Sequence, residues 1–536
     1  MTQYRGHVVV CGGHPCVAAG CTGVRNRLEL EIREAGLEGE IKVITTGCLG
    51  PCHMGPFVVV YPDGSVYQRV SVDDVPEIVQ EHLLKGRRVD RLLCTDPQLN
   101  LRAPAEAGGA TQQQRIVLEN VGLIDPESIE EYIARDGYLA EGLAYTRMVP
   151  SEIVNEIERS GLRGRGGAAF PTGRKLAITA AAKSDAKYVV CNADEGEPGT
   201  FKDRLIMEGD PHRLVEAMAI VGRAIGATEG YVYIRGEYLL SISRVQKAID
   251  RARELGLLGS DIFGSGHDFD IQVRTGAGAY VCGEETALLS SMEGKRGEPR
   301  VKPPYPGERG LWGKPTAVCN VETLANIPSI IRNGADWFRG FGTPGSPGTK
   351  VFTLTGNVAY RGLIEVPFGI SLRQVIYGLG GGIPGGRRFK MAQTGGTSGG
   401  ILTEAHLDAP LDYDGLREAG SAVGSGALLV IDDSHCAADI AYAIARFFEH
   451  ESCGRCSPCR LGTRRIAQIF EAVRQMRAGW DQVELALDTA SVMTRTCLCA
   501  LGQSLEMPLT ALVREYRDDF EAHMDHECAG CAATGR

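Results

Sequence analysis

"PSEIVNEIERSGLRGRGGAAF", residues 150–170, decides how the central part of this 536-residue chain folds. Its end formally matches the dinucleotide fingerprint G-x-G-x-x-A at Gly164, Gly166 and Ala169. That fingerprint works because a strand delivers the glycines to the N-terminus of a following helix. Here Ile153, Val154 and Ile157 recur at helical spacing before the loop, so a helix feeds it. A Rossmann turn is excluded. A loop this rich in glycine can still bring backbone N–H groups to a phosphate or let a flat ring lie against the chain, and Arg165 and Lys175 add positive charge.

Working outward, strands such as "YVVCNAD" (188–194) alternate with helical stretches such as "PHRLVEAMAIVGRAIG" (211–226), which predicts an α/β domain over 116–348. Asp194, Glu195, Glu197, Glu284 and Glu285 stand among glycines near strand ends, where they suit acceptors for a polyhydroxylated ligand. Residues 1–100 read as a small α/β unit, with hairpin chemistry at "PDGS" (62–65), and polar residues 101–115 read as a linker. Residues 349–432 hold strand-like "KVFTLTGNV", "GLIEVPFG" and "GALLVIDD", a compact β-rich module with one helix. Helical periodicity then dominates 433–518, a small bundle, followed by a tail at 519–536.

A 43% apolar and 23% charged composition is that of soluble protein, and no run approaches the ~20 apolar residues of a membrane span. The net charge of −10, with signs interspersed, offers no phosphate-tracking surface, so neither nucleic acid nor membrane insertion is expected. The opening residues lack the segments of a signal peptide, and a cytoplasmic protein is expected. Seventeen cysteines are many for that compartment and imply metal or redox work.

"HESCGRCSPCRLG" (450–462) brings Cys453, Cys456 and Cys459 to a loop-to-helix entry. Three close thiols and one distant suit a [4Fe-4S] cubane better than zinc, which usually takes two separate C-x₂₋₄-C pairs. Cys497 and Cys499 are the candidates for the fourth. At the front, Cys11 and Cys16 (C-x4-C) and Cys48 and Cys52 (C-x3-C) each follow a strand and could hold [2Fe-2S] or zinc. Cys94, Cys191, Cys282, Cys319 and Cys436 stand alone and read as small apolar packing residues.

"GLRGRGGAAFPTGRK", "CNADEGEPGTFKDR", "AYVCGEETALLSSMEGKRGEPRVKPPYP", "PTAVCNVETLANI" and "SCGRCSPCRLGT…CALG" together resemble the flavin-bearing NADH-oxidising subunit of respiratory complex I. They equally resemble its relatives, the beta subunits of soluble NAD-dependent formate dehydrogenases and of NAD(P)-linked or electron-bifurcating hydrogenases. The front hundred residues resemble a fused thioredoxin-like [2Fe-2S] domain, and 349–432 the family's ubiquitin-like (β-grasp) module. The resemblance implies a multidomain α/β protein with FMN held by Gly164, Arg165, Gly166 and Gly167. Lys175, Asn192, Asp194, Glu195, Tyr280, Gly283, Glu284, Asn320 and Thr323 would surround it. Phe170 and Tyr305 would hold the adenine of NAD(H), with Glu197, Glu285 and Lys302 on the rest. By the same resemblance Cys499 is the fourth [4Fe-4S] ligand, and Cys11, Cys16, Cys48 and Cys52 hold the [2Fe-2S] cluster. Cys497, then left over, joins His523, Cys528 and Cys531 as a candidate zinc set.

Ala169 stands where the family usually has Gly, and Ile178 and Tyr305 where Phe is frequent. The sequence ends at "HMDHECAGCAATGR", so the two-cluster ferredoxin domain that several hydrogenase relatives carry there is not expected. A nicotinamide gives up two electrons as hydride and a cluster takes one, so a flavin must stand between them. No acid–base residue is then essential to hydride transfer, although Glu197 and Glu284 lie nearby. The implied role is the diaphorase subunit of a formate dehydrogenase or, alternatively, of a hydrogenase, beside a catalytic subunit and a small [2Fe-2S] subunit. A reading from another class makes the chain a zinc-stabilised assembly scaffold.

Overall fold

The computed structural model describes residues 4–47, 54–94, 113–524 and 528. At the front, β1 (Gly6–Cys11), α1 (Cys21–Glu34), β2 (Ile41–Thr46), β3 (Val58–Tyr61) and β4 (Ser65–Tyr67) build a sheet in the order β2-β1-β3-β4. β1 and β2 run parallel, and β3 is antiparallel to β1. Val8, Val9 and Val10 are buried on both faces, while α1 turns Val24, Leu28 and Ile32 inward at helical spacing. The β3–β4 turn has Gly64 at φ 69°, and Asp63 accepts from Ser65 N at 3.2 Å, the hairpin chemistry that "PDGS" predicts.

The central domain has four parallel strands: β5 (Tyr188–Ala193), β6 (Glu229–Ile234), β7 (Asp270–Thr275) and β8 (Thr316–Asn320), ordered β7-β6-β5-β8. The chain grows from β5 through β6 to β7 and then returns to the other side of β5. That reversal makes a switch point between β5 and β8, and crevices at the carboxyl ends of such strands are where open α/β sheets bind ligands. Asn192 and Asn320 face each other in register there. Helix α2 (Pro150–Ser160) buries Ile153, Val154 and Ile157, as their spacing predicts, and Gly161 ends it at φ 70°. α3 (Thr172–Ala181), α4 (Lys202–Gly209), α5 (Pro211–Ile225), α6 (Leu239–Glu254), α7 (Glu285–Met292) and α8 (Val321–Asn333) complete the domain, with α5 almost wholly buried.

β9 (Thr349–Gly356), β10 (Gly362–Pro367), β11 (Phe389–Thr394), β12 (Ile401–Leu402) and β13 (Ala427–Asp432) form a sheet ordered β10-β9-β13-β11-β12, with β9 and β13 parallel at its centre. This is the arrangement of a β-grasp. β11, "FKMAQT", has no run of β-branched residues, and its strand state comes from pairing with the open edge of β13. The module is tied to the central domain through the buried Glu365, which accepts from the backbone N–H groups of Ile116, Val117 and Leu118 at 2.9–3.0 Å.

α9 (Ala437–Glu451), α10 (Ser457–Arg474), α11 (Trp480–Thr496), α12 (Glu506–Glu515) and α13 (Arg517–Met524) form the helical domain. It runs past the expected limit at 518. Phe520 lies in its core, with its ring 6.3 Å from that of Phe470 and 6.5 Å from that of Trp480, and His523 is buried one turn on. Among the described residues no helix is long and apolar enough to cross a membrane.

Candidate functional site

The glycine loop lies at the switch point. Gly164 N–H donates to Phe170 O (2.9 Å) and Arg165 N–H to Thr323 Oγ1 (2.8 Å), which closes the loop over the start of α8. A Cβ on Gly166 would sit 2.9 Å from the Asn320 Cβ, and Gly167 has φ 133°. A side chain is therefore barred from the first position and strained at the second. Ala169 has φ 54°, a left-handed conformation in which glycine is unstrained, so the departure from the family's usual Gly adds a small backbone cost and leaves the loop intact.

Arg165 corrects one expectation. Its side chain is 1% exposed and points away from the cleft: Nη2 donates to Pro347 O (2.9 Å), Nη1 to Tyr413 Oη (3.1 Å), and the guanidinium lies 4.6 Å over Phe368. It fastens the loop to the β-grasp module, because a carbonyl, a hydroxyl and a ring give Nη2, Nη1 and the face of the guanidinium the partners that a solvent-filled cleft would not fix in place. Only its backbone belongs to the site.

The acids divide by what already binds them. Asp194 is buried, neither carboxylate oxygen has a partner among the described residues, and burial pushes its pKa up to about 7. Glu195 instead accepts from Asp203 N (2.9 Å), Arg204 N (3.1 Å) and Tyr238 Oη (3.2 Å), so it caps α4 and most of its acceptor capacity is taken within the protein. Glu197 accepts from Tyr280 Oη (2.7 Å) and from Thr397 N (2.6 Å), which links the cleft to the β-grasp loop. Glu284 caps α7 through Thr286 N and Ala287 N, both 2.9 Å, and pairs with Lys302 at 2.7 Å. Glu285 lies 3.3 Å from both Lys175 and Lys302; burial raises its pKa, but the two ammonium groups outweigh that and hold it low. Asn192 Nδ2 donates to Gly283 O (2.8 Å), and Lys175 Nζ to Val318 O (2.8 Å).

Phe170, Ile178 and Tyr305 are 40%, 39% and 55% exposed. Apolar and aromatic faces left in water beside a polar cleft are suited to stack on a flat ring. A partnerless buried acid, a cradle with no room for a Cβ and open aromatic faces together fit a flavin with a dinucleotide beside it. In that arrangement the loop backbone, Lys175, Asn192, Asp194, Asn320 and Thr323 would hold FMN.

Cys453, Cys456, Cys459 and Cys499 line one hollow with Val281, Pro299 and Leu501, a donor set that fits a [4Fe-4S] cluster. The structure also brings Cys497 here: its sulfur and those of Cys456 and Cys459 lie within 4.8 Å of one another. This corrects the assignment of Cys497 to the tail, since the turn after α11 points it back at α10 and into the core beside Cys459. At the tail Cys436 takes its place. His523 Nε2 is 3.2 Å and Cys528 Sγ 4.0 Å from Cys436 Sγ. Sequence spacing had no means to find Cys436, because 87 residues separate it from His523 and nothing about "DSHCAAD" marks a ligand. Cys11 and Cys16 are buried at the end of β1 and just beyond it; Cys48, Cys52 and Cys531 lie outside the described residues.

These features define a class: a flavin-dependent oxidoreductase subunit that passes electrons to iron–sulfur clusters. Family models agree, matching the Nuo51 FMN-binding domain over 157–329, the NADH-ubiquinone oxidoreductase-F iron-sulfur binding region over 439–523 and the thioredoxin-like [2Fe-2S] ferredoxin over 3–83. The chain is 54% identical over 415 residues to the NADP-reducing hydrogenase subunit HndC of Solidesulfovibrio fructosivorans, covering 77% of this chain and 84% of that one. It is 46% identical over 414 residues to an NADH-quinone oxidoreductase subunit of Rhizobium meliloti, covering 76% and 97%. Its fold is similar to a chain of an NAD+-reducing [NiFe]-hydrogenase in the H2-reduced state (TM-score 0.69, 30% identity, covering 99% of this chain and 88% of that one). The chain belongs to the family of FMN-binding, iron–sulfur NADH-oxidising subunits found in the NADH-quinone oxidoreductases and their hydrogenase relatives. It is an oxidoreductase subunit with FMN, [4Fe-4S] and [2Fe-2S] as its cofactors.

Proposed function

We propose that the chain is the diaphorase subunit of a soluble, cytoplasmic multi-subunit oxidoreductase, exchanging electrons between NAD(H) and its clusters through FMN. One segment carries the reading. Within "AYVCGEE", Tyr280 holds Glu197, Gly283 accepts from Asn192 and Glu284 and Glu285 bind Lys302 on the cleft side, while Val281 lines the thiol hollow. Nucleotide cleft and cluster hollow are thus lined in part by one continuous segment, which supports a short electron path between them. When bound, FMN supplies the conversion of a two-electron hydride into single electrons. This chain's residues would hold and orient the flavin and the nicotinamide and shield them from water.

Anaerobic NADH should bleach the yellow-brown holoprotein and reduce its clusters. A preparation with FMN and sulfide that NADH leaves oxidised would end this reading, and a colourless zinc protein would favour a scaffold. Of the two companions the sequence suggests, the hydrogenase type has the support of the relative at 54% identity and of the fold neighbour, whereas the formate dehydrogenase type rests on resemblance alone. Metal analysis of the complex purified from its host separates them: nickel or a diiron centre for the first, molybdenum or tungsten for the second.

Glu285 is the residue we assign to the adenosine ribose, where a carboxylate accepts from hydroxyls and repels a 2′-phosphate. The wild type should prefer NAD(H), and Glu285→Gln should narrow that preference about tenfold, roughly 1.4 kcal/mol. Steady-state kcat/KM with both cofactors tests it, and a wild-type preference for NADP(H) would refute it.

We also propose zinc for the tail, with Cys436 in place of Cys497 beside His523, Cys528 and Cys531. Tetrahedral zinc places thiolate sulfurs about 3.8 Å apart and sulfur about 3.5 Å from an imidazole nitrogen, close to the 4.0 and 3.2 Å seen here. Such an ion would pin α13 to the start of α9, where Asp519 already accepts from Ala437 N (2.6 Å). The purified protein should hold one zinc per chain and lose it in Cys436→Ser, read by elemental analysis; zinc-free wild type refutes the site.

A further inference from the structure

We propose that Arg244, a residue of the central domain, raises the reduction potential of the [2Fe-2S] cluster carried by the N-terminal domain. The proposal rests on that domain carrying the cluster.

β1 and β2 end side by side, with Cys11 opposite Thr46 and Gly12 N–H donating to Thr46 O (3.0 Å). Against this end packs the central domain. Arg244 reaches across from α6: Nη2 donates to Thr45 O (2.7 Å), and Nη1 donates to Glu208 O at the end of α4. Its side chain is 3% exposed. A Cβ on Gly47 would lie 3.1 Å from the Glu208 carbonyl carbon, so the two domains' backbones approach closely beside Arg244. Further along the interface, Lys42 pairs with Asp125 (3.1 Å) and Glu131 (2.9 Å), and Tyr61 Oη donates to Gly122 O (3.1 Å).

The hydrogen-bond partners of the guanidinium are carbonyls. The Glu208 carboxylate is taken by Arg204 at 2.8 Å. Glu127 Oε1 stands 3.9 Å from Arg244 Nε, but that acid is half shared with Lys247, 2.6 Å from its other oxygen. Glu208, Glu127 and Asp125 therefore oppose, from one side, a positive charge that is held fixed in a buried site. Burial pushes the Arg244 pKa down, against opposing pulls from Glu208, Glu127 and Asp125, and the carbonyl it binds belongs to the residue just before Thr46, the register partner of Cys11. Arginine keeps its proton even so.

A thiolate-ligated cluster gains one unit of negative charge on reduction, and its potential follows local charge, hydrogen bonding and solvent access. A fixed buried cation stabilises the more negative state more strongly. Arg244 is a positioning residue in this scheme. It acts through its field and through the Thr45 carbonyl that it holds near the end of β2.

The test is a redox titration of the full-length holoprotein, following the [2Fe-2S] signal by electron paramagnetic resonance at a temperature where [4Fe-4S] signals are broadened away. Arg244→Gln should move the redox equilibrium at least tenfold toward the oxidised cluster, about 59 mV more negative for one electron. Arg244→Lys keeps the charge and should stay near wild type. Tyr61→Phe loosens the interface without touching charge and should leave the potential in place. An unshifted Arg244→Gln overturns the proposal, as does a Tyr61→Phe shift of equal size, which would make docking the cause. Loss of the cluster in Arg244→Gln but not in Arg244→Lys is read on Arg244→Met, and loss there too overturns it by making the residue structural. Wild type with no [2Fe-2S] signal at all fails differently, because it removes the cluster assignment itself.

Discussion

Glu322→Ala should lower stability by about 3–5 kcal/mol, the usual result of stranding buried charge, and depress the thermal midpoint on the order of 10 °C. Glu322 is 1% exposed, and one oxygen lies 2.6 Å from Lys350 Nζ and 3.1 Å from Lys202 Nζ. Its other oxygen accepts from Val351 N (2.9 Å) at the start of the β-grasp sheet. Removing the carboxylate leaves two ammonium groups, 0% and 1% exposed, with Asp203 as the remaining acid at 2.6 Å from Lys202. This network joins α4, α8 and β9 directly beneath Asn320, so the flavin cleft should loosen too, and weaker FMN retention should accompany the drop. Burial raises the Glu322 pKa, but Lys350, Lys202 and Arg165 outweigh it and hold it below the usual range. Its contribution is then complete above the unfolded-state pKa near 4.5 and lost as pH falls through the lower folded value. The gap between wild type and Glu322→Gln should be widest near neutrality and close in acid. A thermal midpoint within 2 °C of wild type for Glu322→Ala would refute this, taking ~2 °C as under 1 kcal/mol.

Asp194→Asn should act in opposite directions on the apoprotein and the holoprotein. Burial, with Glu237 and Glu451 adding to it against Arg235, lifts the Asp194 pKa to about 7. Native apoprotein thus binds a proton that the unfolded chain has released above about 3.9. Stability falls as pH rises from about 4 to about 7 and levels off beyond, a cost of up to about 4 kcal/mol at pH 8. Asparagine lacks that cost, so apo Asp194→Asn should be the more stable protein at pH 8, with the difference vanishing near pH 4. The same substitution exchanges one acceptor oxygen for a donor, in a pocket where neither oxygen of Asp194 has a partner among the described residues. FMN should dissociate at least tenfold more readily, measured by flavin fluorescence on dilution. Equal apo stabilities at pH 8 would show that Asp194 stays ionised and solvated.

Much of this was legible in local pattern. Ile153, Val154 and Ile157 announce α2 because a helix repeats every 3.6 residues, and that periodicity rejects the Rossmann reading of the glycines. Cys453, Cys456 and Cys459 identify themselves because their contacts are close in sequence. Legibility failed where partners are remote. Glu195 looks like its neighbours Asp194 and Glu197, yet hydrogen bonds to Asp203 and Arg204 make it a helix cap. Arg165 lies in the glycine loop, but its side chain is held by Pro347 and Tyr413 in the β-grasp region.

Residue order along the chain, through the motifs that resemble a known family, was enough to say what kind of protein this is; its thiol triad and helix-before-loop order are read within a few residues, where covalent spacing sets geometry. Packing in three dimensions assigned the work among residues of like type. It turned Cys497 toward Cys456 and Cys459 and brought Cys436 beside His523 and Cys528, left Asp194 without a partner among the described residues while giving Glu195 three, and laid Arg244 across a domain boundary. Burial and long-range hydrogen bonding separate side chains that chemistry alone makes equivalent, and both exist only once the chain is packed.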